Sequence, residues 1–294
     1  MTDKYAVIGN PIAHSKSPLI HRMFAEQTGQ DIGYEALLAP LDGFAATVER
    51  LRKEGYKGCN VTVPFKFEAF QSATELTQRA QAAQAVNTLK FDGNIILGDN
   101  TDGAGLVRDI EHNLGAPLHG KKVLLMGAGG AAYGVVLPLL GAGVQLVVVN
   151  RTAEKARQLG AAFAARGHIS ICSYAELAGQ AFDCIVNATS SGLSDELPPL
   201  PRNNQTPLNP PFSKGEANIP HFKKGGLGGI FAPGALAYDM MYGRETPFMK
   251  FAREQGAAMV ADGLGMLVEQ AAEAFYLWRG VRPDTAPVIA ALRT

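Results

Sequence analysis

The first third of the chain alternates short apolar segments with segments whose apolar residues recur at helical spacing. Residues 5–9 are typical of a strand, and a helix is predicted to start at Pro18 with Ser17 as its N-cap. Further strands are predicted over residues 34–39 and 57–63, with a helix between them. Alternation of this kind predicts a mainly parallel sheet.

A second series of elements begins near Gly103 with a helix whose apolar face is formed by Leu106, Ile110 and Leu114. A strand over 122–126, a glycine turn, a helix and a strand over 144–149 then predict a βαβ unit. Residues 123–150 carry no charged side chain. Because glycines and Pro138 divide this stretch, it is interpreted as buried core and not as a membrane span.

The last third contains predicted strands over 182–186 and 235–240 and a long helix from Asp262 to about Trp278. Between these strands, residues 202–229 hold four prolines and five glycines and show no hydrophobic period. A structureless loop of this length is uncommon inside a domain, so it is interpreted as an inserted, flexible surface segment.

Charge and cysteine content limit the classes of partner. The 27 basic and 27 acidic residues give a formal net charge of +0. Binding to nucleic acid or to a membrane surface is not expected, because both need clustered positive charge. The three cysteines form no CxxC pair, which is typical of free thiols in a reducing compartment. With no visible secretory signal, a cytoplasmic protein is expected.

The glycine turn of the βαβ unit has the spacing of a dinucleotide-binding motif. It reads Gly127, Ala128, Gly129, Gly130, Ala131 and Ala132, directly after a strand and at the start of a helix. Gly129 would let the backbone approach a pyrophosphate, and the helix N-terminus would supply free N–H groups. A cofactor site is therefore predicted here.

The residues after the second strand of this unit favour NADP(H). An acidic residue there would bind a ribose 2′-hydroxyl, whereas this chain has Asn150, Arg151 and Thr152, followed by Lys155. A guanidinium can bind a 2′-phosphate through two hydrogen bonds, and the hydroxyl adds a donor.

Short polar clusters follow the predicted strands of the first third. Their segments are His14-Ser15-Lys16-Ser17, Asn60-Val61-Thr62-Val63-Pro64-Phe65-Lys66, Asn87-Thr88 and Asn100-Thr101-Asp102. Two hydroxyls at a helix N-terminus suit a carboxylate. Taken one at a time, each cluster also has an ordinary structural explanation.

In this order the segments resemble the shikimate dehydrogenase family. The resemblance rests on GNPIAHSKSP, NVTVPFK, AVNT, NTDG, GAGGAA, VNRT, NATSSG, YDMMY and DGLGMLVEQAAEAF. It implies an α/β enzyme with an N-terminal substrate domain built on a mainly parallel sheet, a Rossmann-type NADP-binding domain, and a cleft between them. Residues 1–103 plus 263–294 would form the substrate domain, and residues 104–262 the cofactor domain.

The resemblance also implies a reaction and its residues. The reaction would be reversible reduction of 3-dehydroshikimate to shikimate by NADPH, with Lys66 as general acid and Asp102 beside it. Hydride addition builds an alkoxide, which a nearby cation and proton donor stabilise. Ser15 and Ser17 would bind the substrate carboxylate. The remaining substrate residues would be Thr62, Asn87, Asp102, Tyr242 and Gln270, and those near the nicotinamide Thr189, Met240 and Gly263.

Two positions depart from the family pattern. Tyr133 and Lys155 stand where the family often has arginine, which puts the strength of NADPH binding in doubt. The alternatives are a quinate/shikimate dehydrogenase that uses NAD, and a non-enzymatic metabolite sensor on the same fold. No metal site is expected, since the six histidines show no ligand spacing. Either a monomer or a homodimer is compatible with the sequence.

Overall fold

Two six-stranded sheets with helices packed around them organise the chain. The structure is a computed structural model that describes residues 2–189, 196–202 and 229–293. The predicted insert, residues 202–229, lies outside the described residues except at its two ends, Arg202 and Gly229.

The first sheet has the strand order β2-β1-β3-β5-β6-β4. Its strands are β1 (Asp3–Gly9), β2 (Ile32–Leu38), β3 (Gly58–Val61), β4 (Glu75–Leu76), β5 (Thr88–Asp92) and β6 (Ile95–Asp99). Only β5 runs against the others, since it pairs antiparallel with both β3 and β6. The prediction of a mainly parallel sheet is therefore confirmed.

The helices of this half are α1 (Ser17–Thr28), α2 (Phe44–Lys53), α3 (Lys66–Ser72) and α4 (Gln78–Ala83). Helix α1 starts one residue earlier than predicted, and Gly29 ends it in the left-handed region. Lys16 is the N-cap, at φ −82° and ψ −9°, and no side chain caps the helix. The prediction that Ser17 is the N-cap was wrong, because Ser17 is itself the first residue of the helix.

The second sheet is parallel throughout, in the order β12-β11-β10-β7-β8-β9. Its strands are β7 (Lys122–Met126), β8 (Gln145–Val149), β9 (Ile169–Cys172), β10 (Phe182–Asn187), β11 (Phe231–Asp239) and β12 (Met259–Ala261). The chain runs outward from β7 in both directions, which is the Rossmann arrangement. Nearly all side chains of β7 and β8 are buried, as expected for parallel strands covered on both faces.

Helices α5 (Asp102–Arg108), α6 (Gly130–Gly141), α7 (Ala153–Phe163) and α8 (Pro247–Glu254) accompany the second half, with 3₁₀ turns at Ala164–Arg166 and Ala175–Leu177. Helix α5 passes into a π-helical turn over Asp109–Asn113, so the helix predicted around Ile110 is not regular.

The end of the chain returns to the first sheet through α9 (Leu264–Arg279) and α10 (Ala286–Arg293). The Trp278 indole donates a hydrogen bond to the Leu89 carbonyl at 3.0 Å, and its ring stacks on Tyr5 with centroids 4.6 Å apart. This packing brings α9 beside the residues that follow the first-sheet strands. Within the described residues, no helix is long and apolar enough to cross a membrane.

Candidate active site

A cavity of about 930 Å³ lies between residues that follow the strands of both sheets. Every site residue predicted from the sequence lines it: Ser15, Ser17, Thr62, Lys66, Asn87, Asp102, Gly127, Ala128, Gly129, Gly130, Ala131, Asn150, Arg151, Thr152, Lys155, Thr189, Met240, Tyr242, Gly263 and Gln270. In α/β proteins ligands bind beyond the carboxyl ends of strands, which is where these residues lie.

Lys66 and Asp102 form an ion pair at this cavity. Lys66 is the first residue of α3, Asp102 is the first of α5, and Nζ lies 2.6 Å from Oδ2. Their side chains are 27% and 12% exposed, so the pair is partly shielded from water but still reachable from the cavity. The arrangement can supply a positive charge and a proton to an oxygen atom bound beside it.

The other carboxylate oxygen of Asp102, Oδ1, is held by a hydrogen bond from Asn87, the residue that precedes β5. Asn87 donates from Nδ2 to Oδ1 of Asp102 at 2.8 Å. The backbone N–H of Asp102 donates to Oδ1 of Asn100 at 3.2 Å. Asp102 is therefore fixed through both its side chain and its backbone, which in turn fixes the position of the Lys66 ammonium.

Gln270 reaches this group from α9. Its Oε1 accepts from Asn87 Nδ2 at 3.4 Å and from the Thr101 hydroxyl at 3.3 Å. Its Nε2 donates to the Leu267 carbonyl within the same helix. Gln270 thus has the polar partners that its position in a largely apolar helix suggested.

The two serines expected to bind the substrate carboxylate lie at the start of α1. The Ser17 backbone N–H donates to the Ser15 hydroxyl oxygen at 3.3 Å, and both serines line the cavity.

Thr62 follows β3, and its backbone N–H donates to the Ile8 carbonyl at 2.9 Å. Tyr242 follows β11, and burial raises the pKa of its hydroxyl above the ordinary value. It therefore stays neutral at physiological pH and can donate a hydrogen bond.

The glycine turn after β7 fits a phosphate group. Gly127 has φ +110°, and a Cβ there would lie 2.9 Å from the Ala188 carbonyl oxygen, so only glycine fits without strain. A Cβ at Gly129 would meet no atom within 4 Å, which leaves open space above the turn. Helix α6 starts at Gly130 with no side-chain cap, so its first N–H groups can bind an anion.

The residues after β8 fit a further negative group. Asn150 Nδ2 donates to the Thr152 carbonyl at 2.9 Å and shapes the turn. Arg151 and Lys155 are exposed at the cavity edge, and neither forms an ion pair with an acidic residue in the described parts of the chain. Two cations that pair with no carboxylate among the described residues are suited to a phosphate.

The segments after β10 and β11 also line the cavity. Thr189 donates from its hydroxyl to Oδ1 of Asn187 at 2.7 Å. A Cβ at Gly263 would lie 2.3 Å from the Met240 carbonyl oxygen, so this glycine permits the close approach of the two segments. Thr189, Met240 and Gly263, which were predicted to lie near the nicotinamide, line the same cavity.

Three family models match the chain. They are described as "Shikimate dehydrogenase substrate binding domain" over residues 7–89, "Shikimate / quinate 5-dehydrogenase" over 109–194 and "Shikimate 5'-dehydrogenase C-terminal domain" over 263–293. A relative from Nitrosospira multiformis named Shikimate dehydrogenase (NADP(+)) is 56% identical, covering 100% of this chain and 98% of its own length. The chain belongs to the shikimate dehydrogenase family.

Other proteins are similar to this chain over almost its whole length. The Shikimate dehydrogenase (NADP(+)) of Methylobacillus flagellatus is 58% identical, with 99% of both chains covered. The crystal structure of an Ael1 enzyme from Pseudomonas putida is 48% identical, with a TM-score of 0.87 and 99% and 98% of the two chains covered. The Thermus thermophilus shikimate 5-dehydrogenase, solved in complex with NADP(H) and shikimate, is 30% identical, with a TM-score of 0.81 and 99% of both chains covered.

The two departures from the family pattern have different surroundings. Tyr133, in α6, packs against Phe163 of α7 with ring centroids 6.0 Å apart. Its ring is thus used in joining two helices of the cofactor half. Lys155 lines the cavity near Arg151 and keeps a positive charge there. The first departure changes packing, and only the second leaves a cation at the site.

Sequence reasoning missed Asp239, which organises the segments that follow β10 and β11. Its buried carboxylate accepts hydrogen bonds from Asn187 Nδ2 at 3.1 Å, the Met241 N–H at 3.0 Å and the Thr246 hydroxyl at 2.5 Å. These bonds join the segments after β10 and β11. The signal was present in the sequence, because an aspartate at the end of an apolar strand must find buried donors.

Proposed function

We propose that the protein is an NADPH-dependent shikimate dehydrogenase that reversibly reduces 3-dehydroshikimate to shikimate. The observation that carries the proposal is the Lys66–Asp102 ion pair at 2.6 Å, at a cavity lined on its other side by the glycine turn and Arg151. Family membership and the names of relatives that share more than half of their residues with this chain support the substrate and the cofactor.

When bound, NADPH would supply the hydride for the carbonyl carbon of the substrate. Lys66 donates a proton from Nζ to the carbonyl oxygen, and in the oxidation direction the neutral amine takes that proton back. Asp102 orients the ammonium through Oδ2 and stabilises its charge. Because the pair is only partly exposed, its electrostatic effect on the developing alkoxide is stronger than it would be in water.

The proposed substrate contacts use the groups around the pair. Ser15 and Ser17 bind the carboxylate through their hydroxyls at the start of α1. The hydroxyl groups of the ring are bound by Asp102 and by the residues that surround it in the cavity, namely Thr62, Asn87, Tyr242 and Gln270. This group of closely spaced hydrogen-bond donors and acceptors suits a small polyhydroxy acid.

The proposed cofactor contacts are made by residues that follow the strands of the second sheet. The turn from Gly127 to Ala131 holds the pyrophosphate, with Asn150, Arg151, Thr152 and Lys155 around the 2′-phosphate. Thr189, Met240 and Gly263 lie beside the nicotinamide. The division into a substrate domain of residues 1–103 plus 263–294 and a cofactor domain of residues 104–262 belongs to the same proposal. It is supported by the packing of Trp278 on the first sheet.

We also infer a cytoplasmic enzyme that acts as a monomer or a homodimer. Cys59, Cys172 and Cys184 are free thiols, which is compatible with a reducing compartment. No nucleic acid or membrane partner is part of the proposal.

The test is an assay of the purified protein with 3-dehydroshikimate, following the loss of NADPH absorbance. NADH replaces NADPH in a second arm, and quinate with NADP⁺ or NAD⁺ forms a third. Consumption of NADPH that depends on 3-dehydroshikimate is expected. Oxidation of quinate with NAD⁺ in preference to NADP⁺ would favour the NAD-dependent alternative. Binding of shikimate without turnover would favour the sensor, for which nothing requires an intact Lys66–Asp102 pair.

A further inference from the structure

A series of side-chain hydrogen bonds runs from the first sheet to the catalytic pair, and its direction is set by backbone groups. The Thr101 backbone N–H lies 2.9 Å from one amide atom of Asn87. An N–H can only donate, so this atom must be the oxygen, and the Asn87 nitrogen must face Asp102 at 2.8 Å. The reversed amide would place two donors face to face and an oxygen against the carboxylate.

The next two links follow from the first. The Thr88 hydroxyl lies 2.9 Å from the Asn87 oxygen, so it must donate its only proton there. It can then only accept from Asn60, whose amide nitrogen lies 3.0 Å from it. The same nitrogen lies 3.3 Å from the Asn87 backbone carbonyl, which is an acceptor only, so the orientation of Asn60 is fixed independently.

The last link is a tyrosine. With the nitrogen of Asn60 turned to Thr88, its oxygen faces the Tyr34 hydroxyl at 2.7 Å, and Tyr34 is the donor. The Tyr34 ring is held by stacking on His21, with centroids 4.1 Å apart and planes within 8°. Burial raises the pKa of the Tyr34 hydroxyl well above its ordinary value, so the hydroxyl keeps its proton. Tyr34 is absent from the residues that line the cavity.

We propose that Tyr34 is a positioning residue for the catalytic pair, acting through the ordered series Tyr34, Asn60, Thr88, Asn87 and Asp102. Each group donates toward the Asp102 carboxylate, so the bonds polarise one another in the same sense. Removal of the Tyr34 hydroxyl takes away the hydrogen bond that the Asn60 oxygen accepts, and this loss of polarisation weakens the later bonds of the series, including the bond from Asn87 to Asp102. The kinetic consequence of this inference rests on the proposed function, whereas the hydrogen-bond order does not.

The kinetic test is a double-mutant cycle. Tyr34→Phe removes the hydroxyl and keeps the ring, and Thr88→Val interrupts the series at its middle with nearly the same volume. Each single variant should lower kcat for shikimate oxidation about 3- to 10-fold, the range for one neutral hydrogen bond. Because the two act through one series, the double variant should lie within about 2-fold of Thr88→Val alone. Losses that multiply in the double variant, or a wild-type kcat in Tyr34→Phe, would overturn the proposal.

Two controls separate this role from a general effect on the fold. Thr88→Ser keeps the hydroxyl and should restore kcat to within about 2-fold of wild type. Tyr56→Phe removes a hydroxyl that donates to Glu35 elsewhere on the first sheet and should leave kcat unchanged. A loss in Thr88→Ser equal to that in Thr88→Val would show that packing, and not the hydroxyl, matters at this position.

A second test, which does not depend on turnover, follows the side-chain amide resonances of Asn87 by NMR. These resonances are assigned by their disappearance in Asn87→Asp. They should shift in Tyr34→Phe and in Thr88→Val and stay in place in Tyr56→Phe. If the wild-type enzyme did not oxidise shikimate, the proposed function would fail and this test would still decide the hydrogen-bond order. Unchanged Asn87 resonances in Tyr34→Phe would contradict that order.

Discussion

The Lys66 ammonium lies 2.6 Å from Oδ2 of Asp102, and each of the two residues opens a helix. A helix N-terminus favours the negative charge of Asp102 and disfavours the positive charge of Lys66. Lysine at the start of α3 is therefore a poor choice for helix stability, and the carboxylate beside it offsets this cost. Such a local conflict is expected where chemistry and not stability selects the residue.

Arg151 should determine the preference for NADPH over NADH. Arg151→Ala should weaken NADPH binding by about 1.5–3 kcal/mol, the range for a charge-assisted hydrogen bond, and should hardly change the kinetics with NADH. Arg157→Ala is the matched control, because Arg157 lies on α7, the helix that follows Arg151, and pairs with Glu154. Steady-state KM values for both cofactors check this. Equal weakening of NADPH and NADH would mean that Arg151 supports the fold and does not contact the phosphate.

The two serines at the start of α1 should contribute to substrate affinity. Ser15→Ala and Ser17→Ala should each raise KM for shikimate without abolishing turnover, because each removes one contact to the carboxylate. Ser17 is not the N-cap, so its loss removes no helix cap, whereas Ser15 accepts the Ser17 N–H. Thermal melts beside the kinetics separate the two effects. If neither variant changes KM, the carboxylate is bound elsewhere.

Gly127 and Gly129 should respond differently to alanine, although both belong to the glycine turn. Gly127→Ala introduces strain at φ +110° and a contact with Ala188, so it should lower the free energy of unfolding by about 1–3 kcal/mol. Gly129→Ala meets no atom within 4 Å and should keep stability while weakening NADPH, because its methyl group occupies the space above the turn. Denaturant titrations and cofactor titrations check the pair. Wild-type NADPH affinity in a folded Gly129→Ala variant would move the pyrophosphate away from this turn.

His21 should make the fold sensitive to acid. Burial lowers the pKa of its imidazole to about 3, against about 6.5 for the unfolded chain. The stability gained from a neutral His21 is therefore complete above pH about 6.5 and declines, by about 1.4 kcal/mol per pH unit, as the pH falls toward 3. Between pH 7 and pH 5, wild type should lose about 2 kcal/mol more than His21→Phe.

Urea denaturation at the two pH values measures this difference. His168→Gln, which replaces an exposed histidine, serves as the control. A loss in His21→Phe as large as that in wild type would show that the imidazole is protonated in the folded protein.

The cofactor half was the part most accurately predicted from the sequence. The strand β7 was predicted with its observed bounds, because a buried parallel strand reads as a continuous apolar run that ends at Gly127. The first sheet was predicted less well. The hairpin of β5 and β6 was missed, although the two residues that connect the strands, Gly93 and Asn94, are typical of a hairpin turn.

The list of site residues could be predicted because motifs are local, but their hydrogen bonds could not. Asn60 lies opposite Thr88 only because β3 pairs antiparallel with β5 in one register. A shift of that register by one residue would turn Thr88 to the other face of the sheet. The N-cap of α1 was misplaced for a related reason, since Lys16 takes a helical conformation that its residue type does not indicate.

The most direct test of the central claim is kcat of Lys66→Ala in the assay with 3-dehydroshikimate and NADPH. A positioned proton donor contributes about 10²- to 10⁴-fold to the rate, so kcat should fall by that factor while KM changes much less. Lys53→Ala, at an exposed position on α2, should match wild type. A Lys66→Ala enzyme that keeps more than about half of the wild-type kcat would contradict the account, because the proton would then come from another group.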